Sequence, residues 1–128
     1  MTGIAMSVIR SAEAPVFELP GFSIYALSAP SRGASELCTW RLRALPGADS
    51  GVHSLDCEEV FVVVSGTLVA RIGEKEFQIH ADDALVVSAG TEFSISNPGN
   101  VQCVAIVSVR AGLVGTVRGE SFTPPWAT

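Results

Sequence analysis

The side chains of this 128-residue chain best able to ligate a metal or move a proton are few: two histidines, His53 and His80, three cysteines, Cys38, Cys57 and Cys103, and thirteen acids. The cysteines are odd in number and lack C-x-x-C spacing, which suits packed, reduced thiols in a reducing compartment. There is no G-x-S-x-G elbow, phosphate-cradling glycine loop or H-E-x-x-H helix, so those chemistries have no anchor. What stands out is a spaced series. From Gly47, five residues lead to His53, one to Leu55, three to Glu59 and six to Gly66. An imidazole and a carboxyl buried together can supply an acid or a base near neutral pH. Desolvation raises the carboxyl and lowers the imidazole, and a direct hydrogen bond between them opposes both shifts.

Such groups need strands to hold them. From Leu37 onward, runs rich in Val, Ile, Phe and Thr are cut by Gly and Pro at regular intervals, with no helical periodicity. The pattern predicts strands at 37–45, 58–64, 66–72, 75–79, 83–87, 92–96 and 101–109, and a weaker one at 113–118. Pro46-Gly47, Ser65-Gly66, Gly73-Glu74, Ala89-Gly90 and Asn97-Pro98-Gly99-Asn100 supply the turns. Residues 1–36 read as N-terminal edge strands and loops of the same domain, with pieces at 16–19 and 22–27. Residues 37–118 read as the core of a sandwich or barrel. Residues 119–128 read as an extended tail, too rich in proline for helix or central strand and expected along the surface, where Trp126 needs a groove or a second subunit to cover it.

The stretch HSLDCEEVFVVVSGTL, with its paired Glu58-Glu59 and Val-rich strand, resembles the first cupin motif along its whole length, with Leu55 in place of the second histidine. The segment DDALVVSAGTEFSISN is similar to the second motif at the expected distance. Gly90 and Asn97 are in place, Asp82 stands for the first glycine, Ser88 for the proline and Phe93 for the histidine. The chain is identified as a member of the cupin superfamily, which implies an all-β, single-domain jelly-roll β-barrel.

In metal cupins, the resemblance implies, three histidines and the glutamate converge on one divalent ion. Here Leu55 and Phe93 cannot coordinate, and His53 with Glu59 leaves a two-donor site where a transition metal needs about three. No metal cofactor is therefore expected, a divalent transition metal at His53 and Glu59 being the alternative. Rescue by Cys57 or His80 is weighed against a packed thiol and a solvated imidazole, and the latter readings are preferred. Alternation along the strand puts Phe61 and Val63 on the side of Glu59. With His53, Leu55, Phe93 and Ile95 they outline an apolar pocket with one imidazole and one carboxyl, suited to a small organic molecule. Trp40 and Leu42 share one face of their strand, Arg41 and Arg43 the other. Trp40 and Arg41 are both candidate ligand contacts, because the sequence does not say which face is inward. Tyr25, Trp126 and Glu92 are further candidates for the mouth.

Three readings follow. The first is a metal-independent isomerase, lyase or cyclase in which His53 and Glu59 move protons. The second is a cupin that binds or stores a small molecule without chemistry, the His–Glu pair being a satisfied polar contact. The third is a metal-dependent oxygenase with a degenerate site.

Composition trims the partners. Hydrophobic residues make up 48% and charged ones 16%, which calls for apolar surface buried in a pocket or a partner. With the pairing of barrels through N-terminal strands and outer sheet that the cupin resemblance implies, a homodimer is expected, with residues 1–36 at its contact. Net charge is −5 and the eight basic residues are scattered, so no nucleic-acid partner is expected. No run reaches the roughly 18 apolar residues of a membrane span, and the first residues lack a secretory pattern, which makes the cytoplasm the expected address.

Overall fold

Gly and Pro punctuate the strands, and alternation within each strand decides which side chains meet the core. The computed structural model describes residues 6–128. Among these residues twelve strands follow one another: β1 Val16–Leu19, β2 Phe22–Ala26, β3 Leu37–Ala44, β4 Ser54–Leu55, β5 Glu59–Ser65 and β6 Thr67–Ile72. They continue as β7 Lys75–His80, β8 Ala84–Val87, β9 Ser94–Ser96, β10 Cys103–Arg110, β11 Gly115–Val117 and β12 Glu120–Phe122. Among the described residues the helical ones are confined to three single 3₁₀ turns, Ser11–Glu13, Pro30–Arg32 and Pro125–Ala127. The protein is all-β.

Hydrogen bonding orders the strands as a six-stranded antiparallel sheet, β1-β2-β3-β10-β5-β8, and two three-stranded sheets, β12-β11-β4 and β7-β6-β9. This is a jelly roll whose ladders stay divided among three sheets rather than joined in one continuous ring. Two isolated bridges, Asp49 to Ser96 and His53 to Phe93, stitch the segment before β4 to β9 and its approach.

β3 is the clearest case of alternation: Cys38, Trp40, Leu42 and Ala44 are buried, while Thr39, Arg41 and Arg43 are half-exposed. On β10, Cys103, Ala105, Val107 and Val109 face inward; on β5, Glu59, Phe61 and Val63 do. One apolar core takes these side chains, Glu59 apart, together with Leu55, Leu68, Ile79 and Ile95 from the smaller sheets. Each fully buried Val, Leu, Ile or Phe contributes roughly 1.5–3 kcal/mol of transfer free energy.

Two residues of the spaced motifs hold the backbone. Gly66 turns β5 into β6 at φ +76°, and a Cβ there would lie 2.5 Å from the carbonyl oxygen of Gln102 and 2.9 Å from the Cα of Cys103. Only glycine fits such an approach. Asn97 is buried and knots its own turn: Nδ2 donates to the Ala44 and Val101 carbonyls at 3.0 and 2.9 Å, and Oδ1 accepts from Gly99 N–H at 3.1 Å.

The structure departs from the pattern-based expectations where tertiary pairing decides. The strand expected at 92–96 begins at Ser94, because Phe93 makes only the isolated bridge. The weak strand at 113–118 shrinks to β11, whose hairpin through Arg118 and Gly119, both at positive φ, creates β12. The tail is not simply an extended surface segment. It pairs as β12, ends in the 3₁₀ turn Pro125–Ala127 and buries Ala127. Proline at the first helical position tolerates that turn, since its missing N–H has no helical partner to lose.

Candidate functional site

Glu59 begins β5 between two valines, Val109 on β10 and Val87 on β8, and its inward parity takes the carboxyl away from water, leaving the residue 5% exposed. It lines a cavity of about 110 Å³. Phe61 continues the same wall; Trp40 and Leu42 from β3, Phe22 and Ile24 from β2, and Ile95 from β9 build the others. His53 and Ser50 enter from the segment preceding β4, Leu19 from β1, and Trp126 from the C-terminal turn. The lining residues are apolar but for Glu59, His53 and Ser50, and for the amphipathic indole of Trp126. A larger concavity, about 370 Å³, lies beside the Asn97–Val101 turn and carries no titratable side chain.

His53 is half-buried, its ring tilted against Phe93 with centroids 4.5 Å apart. Its Nδ1–H donates to the Gly51 carbonyl at 3.0 Å, which assigns the tautomer and leaves Nε2 as the nitrogen with the lone pair. Burial pushes the imidazole below its ordinary 6.5, only partly opposed by the Gly51 bond, so the ring is neutral at neutral pH. Burial pushes Glu59 the other way, from 4.5 to about 8, so the carboxyl holds its proton there. Among the described residues its Oε1 has no hydrogen-bond partner, and no hydrogen bond joins it to His53. The pair is therefore not the satisfied polar contact that the sequence left open. The order of the two pKa values is inverted relative to free side chains, giving a carboxylic acid and a free imidazole base in one cavity.

The other expected positions divide. Phe61, Ile95 and Trp40 line the cavity with His53 and Glu59. Leu55, Val63 and Phe93 are buried in the packing and do not border it. Arg41 is a correction: alternation turns it, with Arg43, to the opposite face of β3, where its guanidinium lies 4.2 Å over the Tyr25 ring. Tyr25 goes with it, and Glu92 is exposed. His80 is exposed beside Asp83 at 3.7 Å, and Cys57 is packed in the core. Trp126, a marginal sequence candidate, lines the cavity because the tail docks there. Apart from its size, the signal available was that an apolar ring so near a proline-rich end needs covering. Phe22, Ile24 and Leu42 were missed as lining residues because they read as ordinary strand interior.

Comparison with known proteins settles the family. Residues 40–109, more than half of the chain, match the cupin domain family. The chain is a cupin. It is 26% identical over 106 residues to the tetracenomycin polyketide synthase protein TcmJ of Streptomyces glaucescens, covering 82% of this chain and 71% of that one. In structure this cupin resembles the polyketide cyclase RemF of Streptomyces resistomycificus, with TM-score 0.74 and 12% identity over 84% of this chain and 83% of that one. It also resembles a predicted oxalate decarboxylase of Thermotoga maritima, with TM-score 0.69 and 22% identity over 80% and 97% of the respective chains. The structural likenesses speak to the fold.

The four positions that the cupin resemblance assigns to a metal are occupied here by His53, Leu55, Glu59 and Phe93. Two carry donors, and among the described residues no group of three His, Cys, Asp or Glu converges. The donor set does not fit a transition ion, which needs about three protein ligands. No helix among the described residues is long and apolar enough to cross a membrane.

Proposed function

We propose that this cupin acts on a small, largely apolar organic molecule as a metal-independent isomerase, lyase or cyclase, with Glu59 as acid and His53 as base. The observation that carries the reading is a buried, partnerless carboxyl held protonated in the same cavity as a neutral imidazole whose Nε2 is free. Such a pair suits enolisation. The proton on a carbon next to a carbonyl passes to His53 Nε2, the C–H electron pair becomes the new C=C bond, and the carbonyl π pair takes the Glu59 proton. The neutral enol can return its proton elsewhere, which isomerises, or attack a second carbonyl, which closes a ring. The polyketide names of TcmJ and RemF support an oxygenated carbon skeleton as the substrate class.

A substrate-independent test is hydrogen–deuterium exchange at the methyl group of acetophenone in D₂O. General acid–base catalysis contributes typically 10²–10⁴-fold, so Glu59→Gln and His53→Ala are each expected to slow enzyme-catalysed exchange by about 100-fold or more. Exchange at the parental rate in both variants overturns the proton-transfer reading. Acetophenone bound without exchange in the parental protein leaves a binding cupin instead.

A further inference from the structure

One wall of the cavity is not part of a sheet. Trp126 sits on the turn Pro125–Ala127 and meets Trp40 edge-on, centroids 6.2 Å apart, and Phe17 at 6.1 Å. The backbone behind the ring is clasped. Arg32 donates from Nη2 to the Trp126 carbonyl at 3.0 Å and from Nε to the Leu27 carbonyl at 2.7 Å, while the Cys38 thiol reaches the Ala127 carbonyl at 3.5 Å. The ring is thus held in place from outside the cavity that it helps to close.

Against this anchoring stands an orphan. The indole N–H is buried with no acceptor among the described residues. A buried donor left unpaired costs about 1–3 kcal/mol, and phenylalanine could cover the same apolar neighbours without that cost. The other side chain of this cavity with a buried, partnerless polar atom is Glu59. Two residues that line one small cavity thus each carry an unsatisfied polar atom, which a bound molecule that carries oxygen would satisfy.

We infer that Trp126 is a specificity-determining residue whose indole N–H donates a hydrogen bond to an oxygen of the bound molecule, selecting oxygenated rings over hydrocarbon rings of the same shape. The inference rests on the proposed ligand cavity. At about 110 Å³ the space suits a single ring or the leading ring of a longer molecule.

The test uses the full chain and two probes of nearly one shape, acetophenone and α-methylstyrene, which differ by C=O against C=CH₂. Acetophenone is expected to shift the Trp126 indole N–H proton downfield in ¹H–¹⁵N spectra, the signal being assigned by its loss in Trp126→Phe. It should bind Trp126→Phe about 5–10-fold more weakly, the value of one hydrogen bond, while α-methylstyrene binds both proteins alike. Equal weakening of both probes, or an indole signal indifferent to the oxygen, overturns the inference and leaves the cavity reading intact. Absence of saturation transfer to either probe in the parental protein overturns both. Should Trp126→Phe fail to fold, the indole shift in the parental protein decides.

Discussion

His53 and Phe93 exchange both backbone hydrogen bonds, each 2.9 Å, and their rings stand 4.5 Å apart. The two sequence motifs therefore meet in space at this bridge, and the phenyl ring packs where the cupin resemblance puts a third nitrogen donor. Parental protein purified without an affinity tag should retain no stoichiometric transition metal after dialysis. Phe93→His, adding a third donor beside His53 and Glu59, should bind cobalt(II) with visible d–d absorption. Elemental analysis showing one retained metal per parental chain would overturn the two-donor argument.

The buried carboxyl ties stability to pH. Glu59 titrates near 4.5 when unfolded and near 8 when folded, so the folded state binds its proton more tightly. The stabilisation is fully present below pH 4.5 and is lost as pH rises to about 8, on the order of 5 kcal/mol in all. Glu59→Gln should flatten this alkaline decline in melting temperature between pH 5 and 9. A parallel decline in the variant assigns the effect to other groups.

Activity should follow a bell. His53 must be neutral, so the rate falls on the acid side below its lowered pKa, itself under 6.5; Glu59 must be protonated, so it falls on the alkaline side near pH 8. Acetophenone exchange rates measured from pH 4 to 10 give both limbs. A rate that keeps climbing through pH 9 contradicts an acid role for Glu59.

Much of the scaffold is legible because turn chemistry is local. The spacing from Gly47 through His53 and Glu59 to Gly66 anticipates the strand, its inward parity and the glycine that the backbone of Gln102 and Cys103 forces on it. The face of β3 was not legible: alternation groups Trp40 with Leu42 and Arg41 with Arg43, yet only packing against Trp126 and Tyr25 says which pair is inside. Nor could β4 or the docked tail be read, since a two-residue strand and a single 3₁₀ turn exist only through their tertiary partners. The missing hydrogen bond between His53 and Glu59 is likewise a matter of side-chain placement that no spacing encodes.

Backbone strain separates two motif positions. Gly66→Ala must push against main chain at positive φ and is expected to cost about 3 kcal/mol in denaturant unfolding. Asp82 holds φ +74° where the resemblance puts glycine, so Asp82→Gly should be neutral or stabilising by up to about 1 kcal/mol. A larger loss at Asp82 than at Gly66 would reverse the assignment.

The outer face of the six-stranded sheet leaves Val62 39%, Val64 53% and Val86 58% exposed. The expected homodimer would cover this face, burying well over about 1,200 Å². Light scattering should return twice 13.4 kDa, and Val62→Lys with Val86→Lys should return a monomer. A parental monomer at micromolar concentration removes the dimer.

The order β3-β10-β5 at the centre of the large sheet has a kinetic consequence. Leu37 is paired with Arg110, so the middle ladder closes only after most of the sequence has been made, and the strand carrying Glu59 waits beside an unfilled neighbouring place. Long-range pairing of this kind slows folding to roughly milliseconds or seconds, and during that interval a valine-rich edge lies open to other nascent chains. The pairing that later shields the acid thus sets the length of the interval in which the newborn polypeptide is open to aggregation.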